Sequence, residues 1–245
     1  MPFWKRSCDR PSKGEIETLQ DAKLSLAENL PEHAKIIDLS QIYLLDLPHN
    51  ILSVVKHQNK ECLILKNNEL KDLKGSLDLL EDLKKLDLSF NLFRNVPKNL
   101  PTCQNLIYLN LDHNELCELP WLLGALHKLE ILSACSNKIR KVAPEIGALR
   151  NLHSLHLKDN EITSLPDNFV HCYKLVNLDM DVEKMTYPPG EVIMMGGRST
   201  VLWLCEKNEV DSSQITNCEE VYTYNDINQQ EREVSIYVVE IIVRF

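Results

Sequence analysis

An asparagine recurs at a fixed interval through the middle of this 245-residue sequence. The five positions are 23 residues apart: Asn68, Asn91, Asn114, Asn137 and Asn160. Around each of them lies the pattern LxxLxLxxNxLxxL, often followed by a proline. A period of this length is typical of repeat proteins, in which one unit cannot bury its own apolar residues and neighbouring units stack. The sequence therefore predicts a stack of similar coils rather than one closed core.

Seven such units fill residues 34–189. They begin at Ala34, Lys60, Leu83, Leu106, Leu129, Leu152 and Leu175, and the first step is 26 residues long. We expect the three extra residues near positions 56–59. The LxL core of each unit alternates inward and outward, which predicts a short strand, and the second half has apolar residues three apart, which predicts a helical or 3₁₀ return. The predicted fold class is an α/β solenoid with a curved parallel sheet on its concave face and short helical segments on its convex face.

The repeated asparagines and two of the cysteines have a structural explanation. An inward-facing amide can bond backbone groups that have no strand partner, and an unpaired buried group costs about 1–3 kcal/mol. We therefore predict a buried asparagine ladder. Cys103 and Cys172 stand where other units have leucine, so we expect both to be small buried hydrophobic residues.

The segments outside the array differ from it. Residues 1–33 predict a flank and a capping helix, because apolar residues at helical spacing follow Glu15. Residues 190–206 predict a C-terminal cap, either a helix weakened by Gly196 and Gly197 or an irregular final strand. Residues 207–245 predict a polar, disordered tail ending in the β-prone segment VSIYVVEIIVRF. The sequence leaves open whether that segment adds an edge strand, binds a partner by strand addition or promotes aggregation.

Charge and motifs exclude several classes of function. The formal net charge of −9 disfavours nucleic-acid binding, which needs a basic face, and no apolar stretch has the length of a membrane-spanning helix. Phosphate-binding loops, paired CxxC zinc motifs and nucleophile elbows are all missing from the sequence. We therefore expect no enzyme activity, no cofactor and no membrane insertion.

The outward positions of the strands form the expected binding face. Apolar side chains on a solvent-facing sheet have no stability role and often anchor an interface. The candidate protein-binding residues on this face are Phe90, Tyr108, Asp112, His113, Ile131, His156, Lys158, Ile64, Lys85 and Asp87. Its acidic character predicts a protein partner with a basic patch. The alternative is an ordinary solvated face, and Cys135 beside Lys158 leaves open a thiol of lowered pKa.

These repeats resemble those of the intracellular leucine-rich-repeat proteins. The 23-residue unit and the motif PEIGAL at 144–149 are similar to the Ras-suppressor and Ras-scaffold branch, and YPPGEVIMMGGRSTVLWL at 187–204 resembles the end of many such arrays. The resemblance implies a non-catalytic adaptor or scaffold in signalling by a small GTPase, a kinase or a phosphatase. The alternative is a regulatory or targeting subunit of a phosphatase or small-GTPase pathway. The cysteine clusters that flank extracellular members are missing, which favours a cytoplasmic location and leaves a nuclear one open.

Overall fold

The strands of this protein form one long parallel sheet. The computed structural model describes residues 10–31, 34–57, 59–73, 80–213 and 215. Within these residues the sheet has seven strands, in the order β1-β2-β3-β4-β6-β8-β9. Their bounds are Ile36–Asp38, Cys62–Ile64, Lys85–Asp87, Tyr108–Asn110, Ile131–Ser133, Ser154–His156 and Asn177–Asp179. Every strand of this sheet begins at the third position of its unit, and the predicted parallel sheet is confirmed.

The register of the sheet follows the repeat. Leu86 pairs with Leu63 on one side and with Leu109 on the other, and every pair of adjacent strands is parallel. Leu86 and Leu88 are fully buried in a core that runs through all the units. Since side chains alternate along a strand, the residues between these leucines lie on the opposite, concave face.

The return segments are helical and tightly stacked. The first described one is the helix α2, His49–His57, and later units use the 3₁₀ helices η1 Leu100–Thr102, η2 Trp121–Ala125, η3 Pro144–Ala148 and η4 Asp167–His171. A further 3₁₀ turn, η5 Val182–Lys184, follows the last strand directly. A two-stranded sheet of β5, Glu118–Leu119, and β7, Lys141–Val142, joins two units along one flank. Gly147 lies so close to the next unit that an added Cβ would be 2.1 Å from the carbonyl oxygen of Asn168. Only glycine allows η3 and η4 to approach this closely.

The asparagine ladder is present as predicted. Oδ1 of Asn114 accepts a hydrogen bond from the amide of Phe93 at 3.0 Å. Its Nδ2 donates to the carbonyl oxygens of Leu88 and Leu111, both at 3.0 Å. The other four asparagines repeat this arrangement, and all five are buried. Cys103 and Cys172 are also buried, as expected.

The N-terminal helix bonds the first unit through long polar side chains. Helix α1, Lys13–Glu28, begins with a capping box between Ser12 and Glu15. Nζ of Lys23 donates to the carbonyl oxygen of Ser40 at 2.6 Å, and Nε2 of Gln20 donates to that of Ile42 at 2.9 Å. In later units the carbonyl group at the position of Ser40 accepts an amide of the preceding unit, so Lys23 replaces that donor at the first unit.

Two helices follow the last unit. Helix α3, Gly190–Met194, and helix α4, Gly197–Lys207, are separated by Gly196, whose φ is 93°. A final strand around residues 201–203, which the sequence left open, is not formed there. The terminal segment VSIYVVEIIVRF lies outside the described residues. None of the helices within the described ranges has the length and apolar composition needed to cross a membrane.

Candidate protein-binding face

The predicted site residues lie on one surface. We define the concave face as the side chains at the third, fifth, seventh and eighth positions of the units, and all ten candidates occupy such positions. The strand register places candidates of neighbouring units side by side, for example Lys85 beside Tyr108 and Tyr108 beside Ile131. The repeat therefore gathers onto one face residues that are as far apart in sequence as Ile64 and Lys158.

Two of the predicted anchors are not exposed. Only 4% of the surface of Tyr108 and 5% of that of Ile131 is accessible, so the expectation that they form exposed apolar groups is wrong. Side chains directly opposite each other on neighbouring strands have Cβ atoms about 4.5–5.5 Å apart. Because two large side chains are paired in this way, each shields the other from solvent. Asp87 is also only 5% exposed.

An aromatic stack crosses the middle of the concave face. The rings of Phe90 and His113 have centroids 4.0 Å apart and planes inclined by 21°. Nζ of Lys66 lies 5.6 Å from the centroid of the Phe90 ring, a cation–π distance. We call Lys66, Phe90 and His113 the Phe90 stack. All three side chains are partly exposed, and they come from three successive units.

Phe90 has a backbone conformation that is unusual for its residue type. The eighth positions of six units have left-handed φ values of 53–60°, at Gln41, Asn67, Phe90, His113, Ser136 and Asp159. Each of the first five donates its amide to the seventh-position carbonyl of the next unit, as Phe90 does to Asp112 at 2.9 Å. Asparagine, aspartate and histidine tolerate this region, but a bulky aromatic residue there is strained. Strain of this kind concentrates at functional sites.

Carboxylates occupy the concave face beyond the stack. Asp112 accepts hydrogen bonds from the hydroxyl of Ser133 at 2.7 Å and from the amide of Cys135 at 2.6 Å. Burial raises the pKa of Asp112 and of Asp87 above the usual value of aspartate. Asp179 is exposed, and within the described part of the chain its carboxylate makes no ion pair.

The surroundings of the two histidines of this face favour the neutral form of the rings. Burial lowers the pKa of His113 and of His156 below the usual 6.5, although aspartates nearby act in the opposite direction. The rings therefore offer aromatic surface and hydrogen bonds rather than positive charge. They do not neutralise the neighbouring carboxylates.

The thiol of Cys135 does not have the lowered pKa that the sequence left open. Burial, with a smaller contribution from Asp112, raises its pKa to about 11. The thiol is therefore protonated at neutral pH and a poor nucleophile. A hydrogen bond with the backbone of Lys158, in the next unit, lowers this pKa by less than burial raises it, and the exposed ammonium of Lys158 is not among the groups that shift it. Within the described ranges, no three histidine, cysteine or acidic side chains are placed to hold a metal ion.

The sequence placed Phe90 and His113 on this face but not in contact with Lys66. The signal that could have found the stack is two ring side chains at the eighth position of successive units. A seventh-position lysine in the unit before them adds the cation. The left-handed conformation of the eighth position could not be read from residue type, because phenylalanine disfavours it.

Comparison with known proteins agrees with this geometry. Residues 127–184 match the family described as Leucine rich repeat. The fold is a leucine-rich-repeat solenoid. No curated protein matches the sequence.

Solved structures of leucine-rich-repeat proteins are similar over most of the array. A leucine-rich-repeat protein of Leptospira interrogans is 30% identical over 64% of this chain and 45% of its own, with a TM-score of 0.52. The plant peptide hormone receptor RGFR1, solved with RGF2, is 26% identical over 62% and 25%, with a TM-score of 0.51. Toll of Drosophila, solved with Spätzle, is 25% identical over 63% and 22%, with a TM-score of 0.55. This chain spans less than half of each of the three.

Proposed function

We propose that this leucine-rich-repeat protein is a non-catalytic adaptor that binds a partner protein on its concave face, with the Phe90 stack at the centre of the interface. The observation that carries the proposal is the half-buried Phe90 ring in a strained left-handed conformation. Asparagine at this position would be less strained in its backbone, so the ring is present in spite of a conformational cost. Rigid aromatic side chains that are easily desolvated contribute much of the energy of protein interfaces.

The solved relatives support protein binding as the mode of action. Two of them, RGFR1 with RGF2 and Toll with Spätzle, are described as complexes with a ligand. The proposal keeps Ile64, Lys85, Asp112, His156 and Lys158 as residues around the stack. It assigns Tyr108, Ile131 and Asp87 to the support of the face, because they are buried.

The proposal extends to intracellular signalling and a cytoplasmic location. The six cysteines within the described residues form no disulfide with one another, and three of them are buried, which supports a reducing compartment. The resemblance to the Ras-suppressor and Ras-scaffold branch supports a small GTPase, a kinase or a phosphatase as the signalling partner. Binding of such a partner to the purified chain, followed by assay of the partner's activity, separates a passive adaptor from a regulatory subunit.

Replacing Phe90 tests the concave site without damaging the fold. Phe90→Asn removes the ring with its contacts to His113 and Lys66 and places a residue that tolerates left-handed φ, so the relieved strain offsets the lost contacts and the variant should still fold. Loss of a central aromatic anchor should weaken partner binding about 30-fold, corresponding to about 2 kcal/mol. Partners captured from cells by the full chain would be quantified by mass spectrometry and their affinities measured by titration.

Trp121 provides the matched control. It is an aromatic residue with 68% of its surface exposed, and it lies in η2, away from the sheet. Trp121→Ser should retain the partners that Phe90→Asn loses. If both variants retain the same partners at unchanged affinity, the concave assignment is wrong.

A further inference from the structure

The concave face is divided into two halves of different charge. In the first three units Lys66 and Lys85 balance Asp38 and Asp87. In the last four units the concave face carries four aspartates and one lysine, Lys158. We call these aspartates the acidic half: Asp112, Asp159, Asp179 and Asp181. The Phe90 stack lies where the two halves meet.

The protein itself leaves the acidic half largely uncompensated. The described ion pairs include no aspartate of this half; examples are Arg94 with Glu115 at 3.1 Å and Arg140 with Glu161 at 2.7 Å. Among the described residues, Asp159 accepts a hydrogen bond from the hydroxyl of Ser136, at 3.2 Å. Flank carboxylates in this chain therefore have cationic partners, whereas no described ion pair reaches the acidic half. Asp112 and Asp181 accept hydrogen bonds from neighbouring units, and Asp159 and Asp179 are exposed to a partner.

The carboxylates are also close enough to act together. Asp112 and Asp179 both influence the pKa of His156, and Asp112 and Asp159 both influence that of His113. Neither histidine supplies a positive charge at pH 7. Grouped carboxylates on one concave surface attract cations, accelerate their encounter and fix their orientation.

We infer that the partner binds in one direction, with an apolar side chain on the Phe90 stack and lysine or arginine side chains over the acidic half. The inference rests on the proposed function and specifies the chemistry of the partner. Asp159 and Asp179 lie three and four units beyond Phe90, which at about 4.8 Å per strand is roughly 14–19 Å. An extended segment, at about 3.3 Å per residue, spans that distance with about four to six residues.

Peptide selection provides a test that needs no known partner. A phage library of random twelve-residue peptides is selected on the immobilised full chain, and the enriched peptides are synthesised and titrated by fluorescence anisotropy in low and high salt. We expect peptides with an apolar residue and, four to six residues away and always on the same side, lysine or arginine. Their affinity should fall with rising salt.

Charge-neutral variants separate this inference from the proposed function. Asp159→Asn with Asp179→Asn should weaken these peptides about five- to twentyfold in low salt and reduce the salt dependence. Glu118→Gln with Glu145→Gln removes the same charge from exposed positions off the concave face and should leave the affinity unchanged.

Every other outcome decides against the inference alone or against both the inference and the proposed function. Peptides that need Phe90 but lack basic residues, or that bind the aspartate variant equally well, overturn the inference and leave the proposed function standing. The inference is also overturned if a second copy of the chain, rather than a basic peptide, occupies the concave face. Failure to select any peptide that Phe90→Asn loses overturns the proposed function and the inference together.

Discussion

Substituting one asparagine of the ladder should cost an amount of stability that the hydrogen bonds define. In Asn114→Ala the amide of Phe93 loses its acceptor, the Oδ1 atom at 3.0 Å. The carbonyl oxygens of Leu88 and Leu111 lose one donor each but keep another, the Nδ2 atoms of Asn91 and Asn137. Only one buried group is therefore left without a partner.

The expected loss follows from this count. An orphaned buried donor costs about 1–3 kcal/mol, and the lost bonds to the two carbonyls add about 1 kcal/mol in total because each keeps a donor. We expect the free energy of unfolding to fall by about 2–4 kcal/mol, which for a chain of this size lowers the Tm by roughly 4–16 °C. Urea denaturation followed by circular dichroism measures the change.

Asn114→Asp supplies the control. Its carboxylate can still accept from Phe93 but cannot donate to the two carbonyl oxygens, which it would repel. It should therefore be less stable than the wild-type protein at pH 7 and recover part of the loss in acid, where a protonated carboxyl can donate. A loss below about 0.5 kcal/mol for Asn114→Ala, or an aspartate variant of wild-type stability at pH 7, would refute the assigned role of the ladder.

Three further predictions follow from other positions. Gly147→Ala should destabilise the fold by about 1–3 kcal/mol in urea denaturation, since the added methyl group overlaps the next unit, whereas Gly14→Ala, with open space around it, should cause no loss. Burial raises the pKa of Asp87, so its ionisation opposes folding above that pKa; Asp87→Asn should raise the Tm at pH 7, and the gain should shrink as the pH falls below the folded pKa. In maleimide labelling at pH 7, mass spectrometry should find exposed Cys117 modified faster than Cys135, whose pKa is about 11; equal rates would contradict the assigned burial.

The fold could be predicted in detail because its determinants are local and periodic. The spacing of residues such as Leu86, Leu88 and Asn91 indicates a strand, its inward face and the turn that follows. The same spacing recurs along the array. Stacking then fixes the parallel register without any further long-range information. The split between α3 and α4 was less predictable, because two adjacent glycines weaken a helix without showing whether it ends, breaks or restarts.

The binding face was predictable only in part. Alternation along a strand shows that Tyr108 and Ile131 point away from the core. It does not show that neighbouring side chains on the same face bury one another, since that depends on the pairing of two particular large residues. In the same way, the sequence shows an aromatic residue at position 90. The strain of its backbone and its contacts with Lys66 and His113 emerge only when three units are placed side by side.

The bonds made by α1 show how the exposed edge of the first unit is covered. Lys23 and Gln20 reach only main-chain oxygens, which every leucine-rich unit presents at the same places whatever its side chains. These two bonds therefore depend on the shape of the coil, whereas the burial of Ala27 in the core and the hydrogen bond from Asn50 to Glu28 depend on the side chains of the first unit. Grafted together with the first unit, this segment should cover the end of another array of the same repeat length.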